Sequence, residues 1–164
     1  MPDPIDTAWK LHSAQMEWTG KVDAKAGFIL TLDAAAITTS IALSSEGMVF
    51  HGVSTGPFQL LYDLSILLFV TAAVLAAWAV APALRLGNLK EEAKSNFIYF
   101  GHARFWDPDN LATALDEHDP LSSVTRQVVR MSTIAWRKHC RVAWSTWLTV
   151  AGVIVIALTG FVLS

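Results

Sequence analysis

The chain has 164 residues, of which 53% are hydrophobic and 16% charged, and its formal net charge is -2. Soluble domains carry ~25% charged residues, and the mean hydropathy here is +0.42, so the composition indicates a small membrane protein. The single cysteine, Cys140, excludes an internal disulfide and a thiolate metal cluster. The charge balance gives no indication of a nucleic-acid partner, and none is expected.

Residues 1–25 are predicted to form a cytoplasmic amphipathic helix. Asp6 or Thr7 can cap a helix that starts near Ala8. The predicted apolar stripe consists of Leu11, Ala14, Trp18 and Val22. Such a stripe suits either the membrane surface or the protein's own cytoplasmic part.

The first predicted membrane crossing spans residues 26–43, and about 18 residues at ~1.5 Å each are enough to cross. It is rich in small and hydroxylated residues, which allow membrane helices to approach closely. It also contains Asp33, and an acid within a membrane costs on the order of 3 kcal/mol unless it is neutral, hydrated or paired. Two interpretations stay open: a hydrogen-bonded packing residue, or an acid that lines or gates a pore.

The distribution of bases predicts the topology. All twelve Lys and Arg residues lie either before the first crossing or between Arg85 and Arg141, and the loop 44–59 has none. The positive-inside rule therefore places the N-terminus in the cytoplasm and this loop in the periplasm.

Residues 60–84 are predicted to be the second crossing. They carry one acid, Asp63, and no base, and at ~1.5 Å per residue they exceed the ~30 Å hydrocarbon core. A fully apolar helix of this length would not fit inside the core of a domain this small. The segment ends at Pro82 and Arg85.

Residues 85–142 are predicted to be a cytoplasmic helical sensor region. A helix from Leu86 to Gly101 is expected to leave the membrane, with an aromatic cluster near its end and Gly101 terminating it. Asp107 and Asp119 each precede a proline, an arrangement typical of helix starts. A short helix over residues 108–117 and a long helix that begins at Pro120 are therefore predicted.

The long helix has an apolar and a basic face. The apolar stripe consists of Leu121, Val124, Val128, Met131 and Ala135. The basic face consists of Arg126, Arg130, Arg137 and Arg141. Guanidinium groups in register suit phosphate, either of lipid headgroups or of a nucleotide. Arg137, Lys138 and Arg141 adjoin the last crossing and are interpreted as lipid-facing residues that set the topology, whereas Arg126 and Arg130 are the better ligand candidates.

The last predicted crossing, residues 143–164, is uncharged. Helical periodicity continues into it from Leu121, so one continuous helix is expected. The sequence thus predicts an all-α protein with three crossings and a periplasmic C-terminus. No enzyme motif is present, and His139 and Cys140, as neighbours on a helix, point about 100° apart, so no enzymatic activity and no cofactor are predicted.

Three stretches in this order carry a family resemblance. The first is WTGKVDAKAGFILTLDAAAI, with Asp23 followed by Lys25; the second is the crossing that ends at Pro82; the third is NFIYFG at residues 96–101. Together they resemble the Pycsar effector transmembrane family, which often has Asn where this chain has Asp33. The resemblance adds Asp23 and Lys25 to Asp33 as candidate membrane or gating residues.

The resemblance implies a function in bacterial antiphage defence. Members of the family are encoded beside a pyrimidine cyclase, so cyclic CMP or cyclic UMP made on infection is expected to trigger damage to the inner membrane and abortive infection. The alternative is a non-enzymatic scaffold or sensor subunit that docks a protein partner through its cytoplasmic helices.

A cyclic pyrimidine nucleotide presents one phosphate charge and a flat base, which suit an Arg and an aromatic face. The candidate ligand-binding residues are Arg126, Arg130, Arg104, Tyr99, Phe100 and Trp106. A site between helices or subunits is expected, because no separate nucleotide-binding barrel fits in the cytoplasmic region. A homo-oligomer is expected as well, since three helices cannot enclose a water path alone.

Overall fold

The computed structural model describes residues 2–53, 56–82, 84 and 87–163. Within these residues the chain is all-α, as predicted. The helices are α1 Pro4–Ala42, α2 Gln59–Val80, α3 Leu89–Ala93, α4 Phe100–Ala103, α5 Pro108–Glu117 and α6 Leu121–Leu163. Helices α1, α2 and α6 are long and apolar enough to cross a membrane. This confirms the prediction of three helices able to span it.

Helix α1 begins four residues earlier than predicted. Asp3 Oδ1 accepts a hydrogen bond from the backbone N–H of Ile5 at 3.0 Å, and Pro4 suits the first helical position because its missing N–H would be unsatisfied there anyway. The predicted cap at Asp6 or Thr7 is therefore wrong. The helix continues unbroken to Ala42, so the amphipathic segment and the first crossing are one helix.

Two residues of the predicted apolar stripe, Leu11 and Trp18, are not part of the face that packs against the described part of the chain, which leaves them the other predicted environment, the membrane surface. Leu11 and Trp18 are about half exposed, whereas Ala8 and Gln15 are buried. The side-chain amide of Gln15 donates to Ser132 Oγ at 2.7 Å. A small residue and a hydrogen-bonded amide, rather than the large apolar side chains, thus form the packed face.

Helix α2 ends at Val80, earlier than the predicted boundary at residue 84. Ala81 has an extended ψ of 134°, as expected for a residue that precedes proline. Pro82 therefore ends the helix, and Arg85, the other predicted end marker, lies outside the described residues.

The single helix predicted from Leu86 to Gly101 is instead two short helices, α3 and α4; Leu86 lies outside the described residues. The Asn96 side chain donates to the carbonyl of Glu92 at 2.8 Å, and this local bond competes with continuation of the helix. Gly101 lies inside α4 and is buried, so it does not terminate a helix as predicted.

Helices α5 and α6 start as the cap chemistry predicts. Asp107 accepts hydrogen bonds from the backbone N–H groups of Asp109 and Asn110 at 3.1 and 3.3 Å, and Asp119 accepts one from Leu121 at 2.9 Å. The bounds of α5 match the prediction. Helix α6 runs without a break for 43 residues, and its predicted apolar stripe is buried or half-buried throughout.

The chain divides into two compact units. The polar unit comprises Met1–Gly20 and Pro82–Trp136, and the membrane unit comprises Lys21–Ala81 and Arg137–Ser164. The apolar core of the membrane unit joins its three helices through Val22, Ala26, Ala79 and Val142.

Buried positions in the helices of the membrane unit are spaced by three, four or seven residues, which is a seven-residue repeat. They are Val22, Ala26, Asp33 and Ser40 in α1, Ser65, Phe69, Ala72, Ala76 and Ala79 in α2, and Lys138, Val142, Ser145, Gly152 and Thr159 in α6. This repeat is typical of left-handed helix packing. Most of these side chains are small, and a Cβ at Gly152 would lie 2.8 Å from the Phe69 ring, so close helix approach depends on that glycine.

Candidate functional site

A polar pocket in the polar unit lies between residues 96–102 and the first turns of α6. Its lining residues are Asn96, Ile98, Tyr99, His102, Ser123, Arg126, Gln127 and Arg130. The cavity volume is about 10 Å³, which is room for about one water molecule. We refer to this site as the polar pocket.

Local geometry explains how these side chains converge. Arg126 and Arg130 are one turn apart on α6 and therefore share a face. The ring of Tyr99 stands edge-on to buried His102, with centroids 5.3 Å apart. A Cβ at Gly101 would lie 2.9 Å from Cδ1 of the Tyr99 ring and still closer to its Cε1. Only glycine therefore allows the tyrosine ring to lie in this position.

The carboxylate of Glu92 contacts two side chains of the polar pocket, Arg130 and His102. Glu92 Oε2 lies 3.8 Å from Arg130 Nη2 and 3.4 Å from His102 Nε2. Both distances exceed the ~2.7–2.9 Å of a charge-assisted hydrogen bond. Neither contact is therefore a close hydrogen-bonded pair, and two arginines, Arg126 and Arg130, line the described part of the pocket.

A second cavity in the polar unit has a volume of about 410 Å³. Its lining residues are Lys90, Glu91, Ala93, Lys94, Phe105, Trp106, Asp107 and Asn110, and we refer to it as the aromatic pocket. A hydrogen bond from Lys94 Nζ at 2.7 Å lowers the pKa of Glu91 below its ordinary value. Lys94 is therefore ion-paired with Glu91 in the wall of the aromatic pocket.

The structure divides the six predicted ligand residues among different places. Arg126, Arg130 and Tyr99 line the polar pocket, and Trp106 lines the aromatic pocket. Arg104 stacks over the ring of Phe105 at 4.5 Å, next to the aromatic pocket but outside its lining. Phe100 is 67% exposed and lines neither pocket.

Several residues of the polar pocket were not predicted. Ser123, Gln127 and the two arginines follow the spacing i, i+3, i+4, i+7, the polar counterpart of an apolar helix stripe. Reading that polar stripe would have found Ser123 and Gln127. His102 of the pocket and Glu92, which contacts the pocket from outside its lining, carry no such signal, because each comes from a separate short helix.

In the membrane unit, an ion pair joins α1 to α6. Lys138 Nζ donates to the two carboxylate oxygens of Asp23 at 2.6 and 2.8 Å. The side chain of Lys138 is only 8% exposed and that of Asp23 33%. The interpretation of Lys138 as lipid-facing is therefore wrong, because its position falls on the buried row of α6.

Asp33 forms the second polar contact between these helices. It is fully buried, and the Thr149 hydroxyl donates to its Oδ1 at 2.8 Å. Its Oδ2 has no hydrogen-bond partner among the described residues. Lys25 is separate from both contacts: it is exposed and lines the rim of an apolar groove that includes Phe28.

The two arginines nearest the last crossing differ in their surroundings. Arg141 stacks over the Trp78 ring at 4.2 Å, and its Nη1 lies 3.4 Å from the Trp78 carbonyl oxygen. Arg137 is exposed. In the described part of the chain, no group of His, Cys, Asp and Glu side chains could hold a metal ion.

Comparison with curated proteins and with solved structures gave no match. The Pycsar effector protein domain family, however, matches residues 7–164. The match includes the polar pocket and both α1–α6 contacts, and it confirms the resemblance found in the sequence. The chain therefore belongs to the Pycsar effector family, and it is an antiphage-defence effector with three helices able to span a membrane.

Proposed function

We propose that cyclic CMP or cyclic UMP, supplied by a paired pyrimidine cyclase, binds in the polar pocket and triggers this protein to impair the inner membrane. The result is abortive infection. The observation that carries the proposal is the convergence of two arginines, two side-chain amides and a tyrosine on one pocket.

These side chains suit the chemistry of the nucleotide. Its phosphodiester carries one charge over two oxygens, which the guanidinium groups of Arg126 and Arg130 can bind. Tyr99 offers an aromatic face for the base. Asn96 and Gln127 each carry both a hydrogen-bond donor and an acceptor, as the polar edge of a pyrimidine requires.

Binding must be coupled to a structural change. The polar pocket holds about 10 Å³, whereas ordinary ligand pockets hold ~300 Å³ or more. A nucleotide can therefore enter only an opened form of the polar unit. A ligand that binds one conformation better than another shifts the equilibrium toward it, which is what a triggered effector requires.

We propose that two polar contacts stabilise the resting state of the membrane unit. The pairs Asp23–Lys138 and Asp33–Thr149 both hold α1 against α6. Lys25, the remaining gating candidate, is exposed and makes neither contact, so we assign it no part in holding the resting state. Because three helices enclose no water path, damage to the bilayer requires a homo-oligomer, packed in part through residues 26–40.

The proposed topology has the N-terminus in the cytoplasm and the C-terminus in the periplasm of a cell with an inner membrane. A reporter fused after Ser164 is expected to be periplasmic, and one inserted between Asp107 and Asp119 cytoplasmic, because all twelve bases lie in the predicted cytoplasmic segments. Paired alkaline phosphatase and fluorescent-protein fusions measure this. A cytoplasmic C-terminus would contradict the three-crossing arrangement.

The proposed function is tested on the full-length protein purified in mild detergent. Titration calorimetry with cyclic CMP and cyclic UMP is expected to show saturable binding of at least one, with non-cyclic CMP and UMP as controls. In liposomes, the bound nucleotide is expected to cause release of a trapped dye. In detergent, the mass of the protein part of the protein–detergent complex is expected to exceed that of one chain. Binding of neither cyclic nucleotide would contradict the proposal and leave the scaffold or sensor alternative.

A further inference from the structure

Asp33 is the one ionisable side chain in the central part of the three membrane helices. Residues 26–42, 64–80 and 142–163 contain no other Asp, Glu, His, Lys, Arg, Cys or Tyr. An acid in a membrane helix is tolerated when it is hydrated, paired with a cation or neutral. The surroundings of Asp33 decide which of these three states it adopts.

No cation in the described part of the chain pairs with Asp33. The base that precedes it on α1 is Lys25, and the base that precedes its partner Thr149 on α6 is Arg141. Each is eight residues away, which is about 12 Å along a helix, and α2 carries no base between Gln59 and Val80. An ion pair requires about 4 Å or less. Since Asp33 is also fully buried, neither a cation nor bulk water offsets a charge on it.

Asp33 has too few hydrogen-bond donors around it for a carboxylate. An ionised carboxylate accepts at two oxygens, with about four lone-pair sites. The Thr149 hydroxyl donates to Oδ1 at 2.8 Å, and Oδ2 has no partner among the described residues. An unpaired charge is far more costly to bury than an unpaired hydroxyl. The form that suits this environment is therefore the neutral acid, with its proton on Oδ2.

The other ionisable groups of the membrane unit lie near the helix ends. Asp23 and Lys138 are bonded to each other at 2.6 Å. On α2, the Tyr62 hydroxyl donates to the Ser40 carbonyl at 3.2 Å, and Asp63 is exposed. The remaining groups precede the central part of α1 or α6: Lys21, Lys25, Arg137, His139, Cys140 and Arg141. None of these groups is bonded to Asp33 in the part of the unit that the structure describes.

We propose that Asp33 is a proton-binding site. Its carboxyl carries a proton while α1 and α6 are packed together, and it passes that proton to water when the helices separate and the side chain is hydrated. Alkaline solution then favours the opened form, so the response of the effector depends on pH. This inference rests on the resting-state contact between Asp33 and Thr149 in the proposed function, and it assigns the ligand of that site.

Asp33→Asn is expected to remove a pH dependence from the stability of the protein. The packed form binds one proton more than the hydrated form, so the equilibrium constant for unfolding rises by up to about tenfold per pH unit above the ordinary range of an aspartate. The asparagine amide keeps the size of the side chain and an acceptor for Thr149 but has no proton to release. The thermal midpoint of Asp33→Asn in detergent is therefore expected to exceed that of the unmodified protein by an amount that grows as the pH rises.

The matched control is Asp63→Asn. It makes the same substitution at an exposed acid in the first turns of α2, and its midpoint is expected to follow that of the unmodified protein at every pH. Infrared spectra of the three proteins in lipid detect the proton directly, because a protonated carboxyl has a carbonyl stretch that a carboxylate lacks. At neutral pH this band is expected to be lost in Asp33→Asn and kept in Asp63→Asn.

Neither measurement uses a nucleotide, so the outcomes separate this inference from the proposed trigger. A protonated-carboxyl band that Asp33→Asn does not remove would overturn the proton site. A midpoint difference between Asp33→Asn and the unmodified protein that stays constant with pH would overturn proton release on hydration. If Asp33→Asn does not fold, Asp33→Ser, which also lacks a carboxyl, decides by the same two criteria. Failure of cyclic nucleotides to bind would leave both results standing and overturn only the proposed trigger.

Discussion

Arg126→Glu and Arg130→Glu are each expected to lower the affinity for the cyclic nucleotide by more than about a hundredfold. Loss of one charge-assisted hydrogen bond costs about 1.5–3 kcal/mol, a factor of roughly ten to a hundred. Charge reversal adds repulsion of the phosphodiester. Arg130→Glu would in addition place a second carboxylate next to Glu92, which now lies 3.8 Å from the Arg130 guanidinium. Calorimetric titration of the purified variants measures the effect.

Arg137→Glu is the matched control for this experiment. It reverses the same charge on the same helix, but Arg137 is exposed and lies outside the polar pocket lining. Its nucleotide affinity is expected to equal that of the unmodified protein. Equal affinity in all three variants would instead exclude the polar pocket as the ligand site, and the aromatic pocket, with Arg104 stacked beside it, would become the candidate.

The parts of the fold that could be predicted depend on local or one-dimensional properties. A membrane crossing is visible in the sequence because hydropathy is summed along the chain and requires no knowledge of contacts. The start of α5 is visible because the Asp107 carboxylate accepts hydrogen bonds from the backbone N–H groups two and three residues further on. Pro108, between them, has no N–H that needs a partner. Neither the hydropathy signal nor the capping signal depends on tertiary packing.

The packed face of α1 could not be predicted from the same rules. In water, large apolar side chains mark the buried face, and that rule selected Leu11 and Trp18. The packed face instead presents Ala8, Gln15 and Asp33. Asp33 lies in the membrane unit, where lipid is the alternative environment, so burial of a large apolar side chain gains little there and small or hydrogen-bonding side chains decide which face packs. In the polar unit, the hydrogen bond from Gln15 to Ser132 fixes the packed face, and Leu11 and Trp18 stay about half exposed. A seven-residue repeat of small and polar residues is the signal that this face requires.

The candidate site was predictable only in its helical half. Arg126 and Arg130 share a helix face, so their spacing alone brings them together. Tyr99 and Glu92 lie near these arginines because the helix ends before Asn96. The Asn96 side-chain amide donates a hydrogen bond to the Glu92 carbonyl there. That bond depends on a local competition between side chain and backbone, and the aromatic composition of residues 96–101 gives no indication of its outcome.

Lys138→Met is expected to destabilise the membrane unit by about 3 kcal/mol. The substitution leaves the Asp23 carboxylate without the cation that now lies 2.6 Å away, and removal of one partner of a buried pair costs roughly 3–5 kcal/mol. We expect the lower end of that range, because Asp23 keeps a third of its exposure and solvent screens part of the charge. The midpoint of thermal unfolding in detergent measures the loss.

Two further proteins make this result specific to the ion pair. Lys25→Met removes an exposed lysine from the same membrane unit and is expected to leave the midpoint unchanged. The double variant Asp23→Leu with Lys138→Met replaces the whole pair by apolar side chains, and it is expected to recover most of the lost stability, because no buried charge remains unpaired. A midpoint for Lys138→Met equal to that of Lys25→Met would show that the pair does not stabilise the unit.

The same variants test the proposed gating role of Asp23. If the pair with Lys138 holds α1 against α6 in the resting state, its loss shifts the equilibrium toward the membrane-damaging state without any ligand. Liposomes that contain Lys138→Met are therefore expected to release trapped dye in the absence of cyclic nucleotide, whereas those with Lys25→Met retain it. Dye retention by Lys138→Met, together with the expected loss of stability, would assign the pair to folding alone and leave Asp33 with Thr149 as the remaining gating contact between these helices.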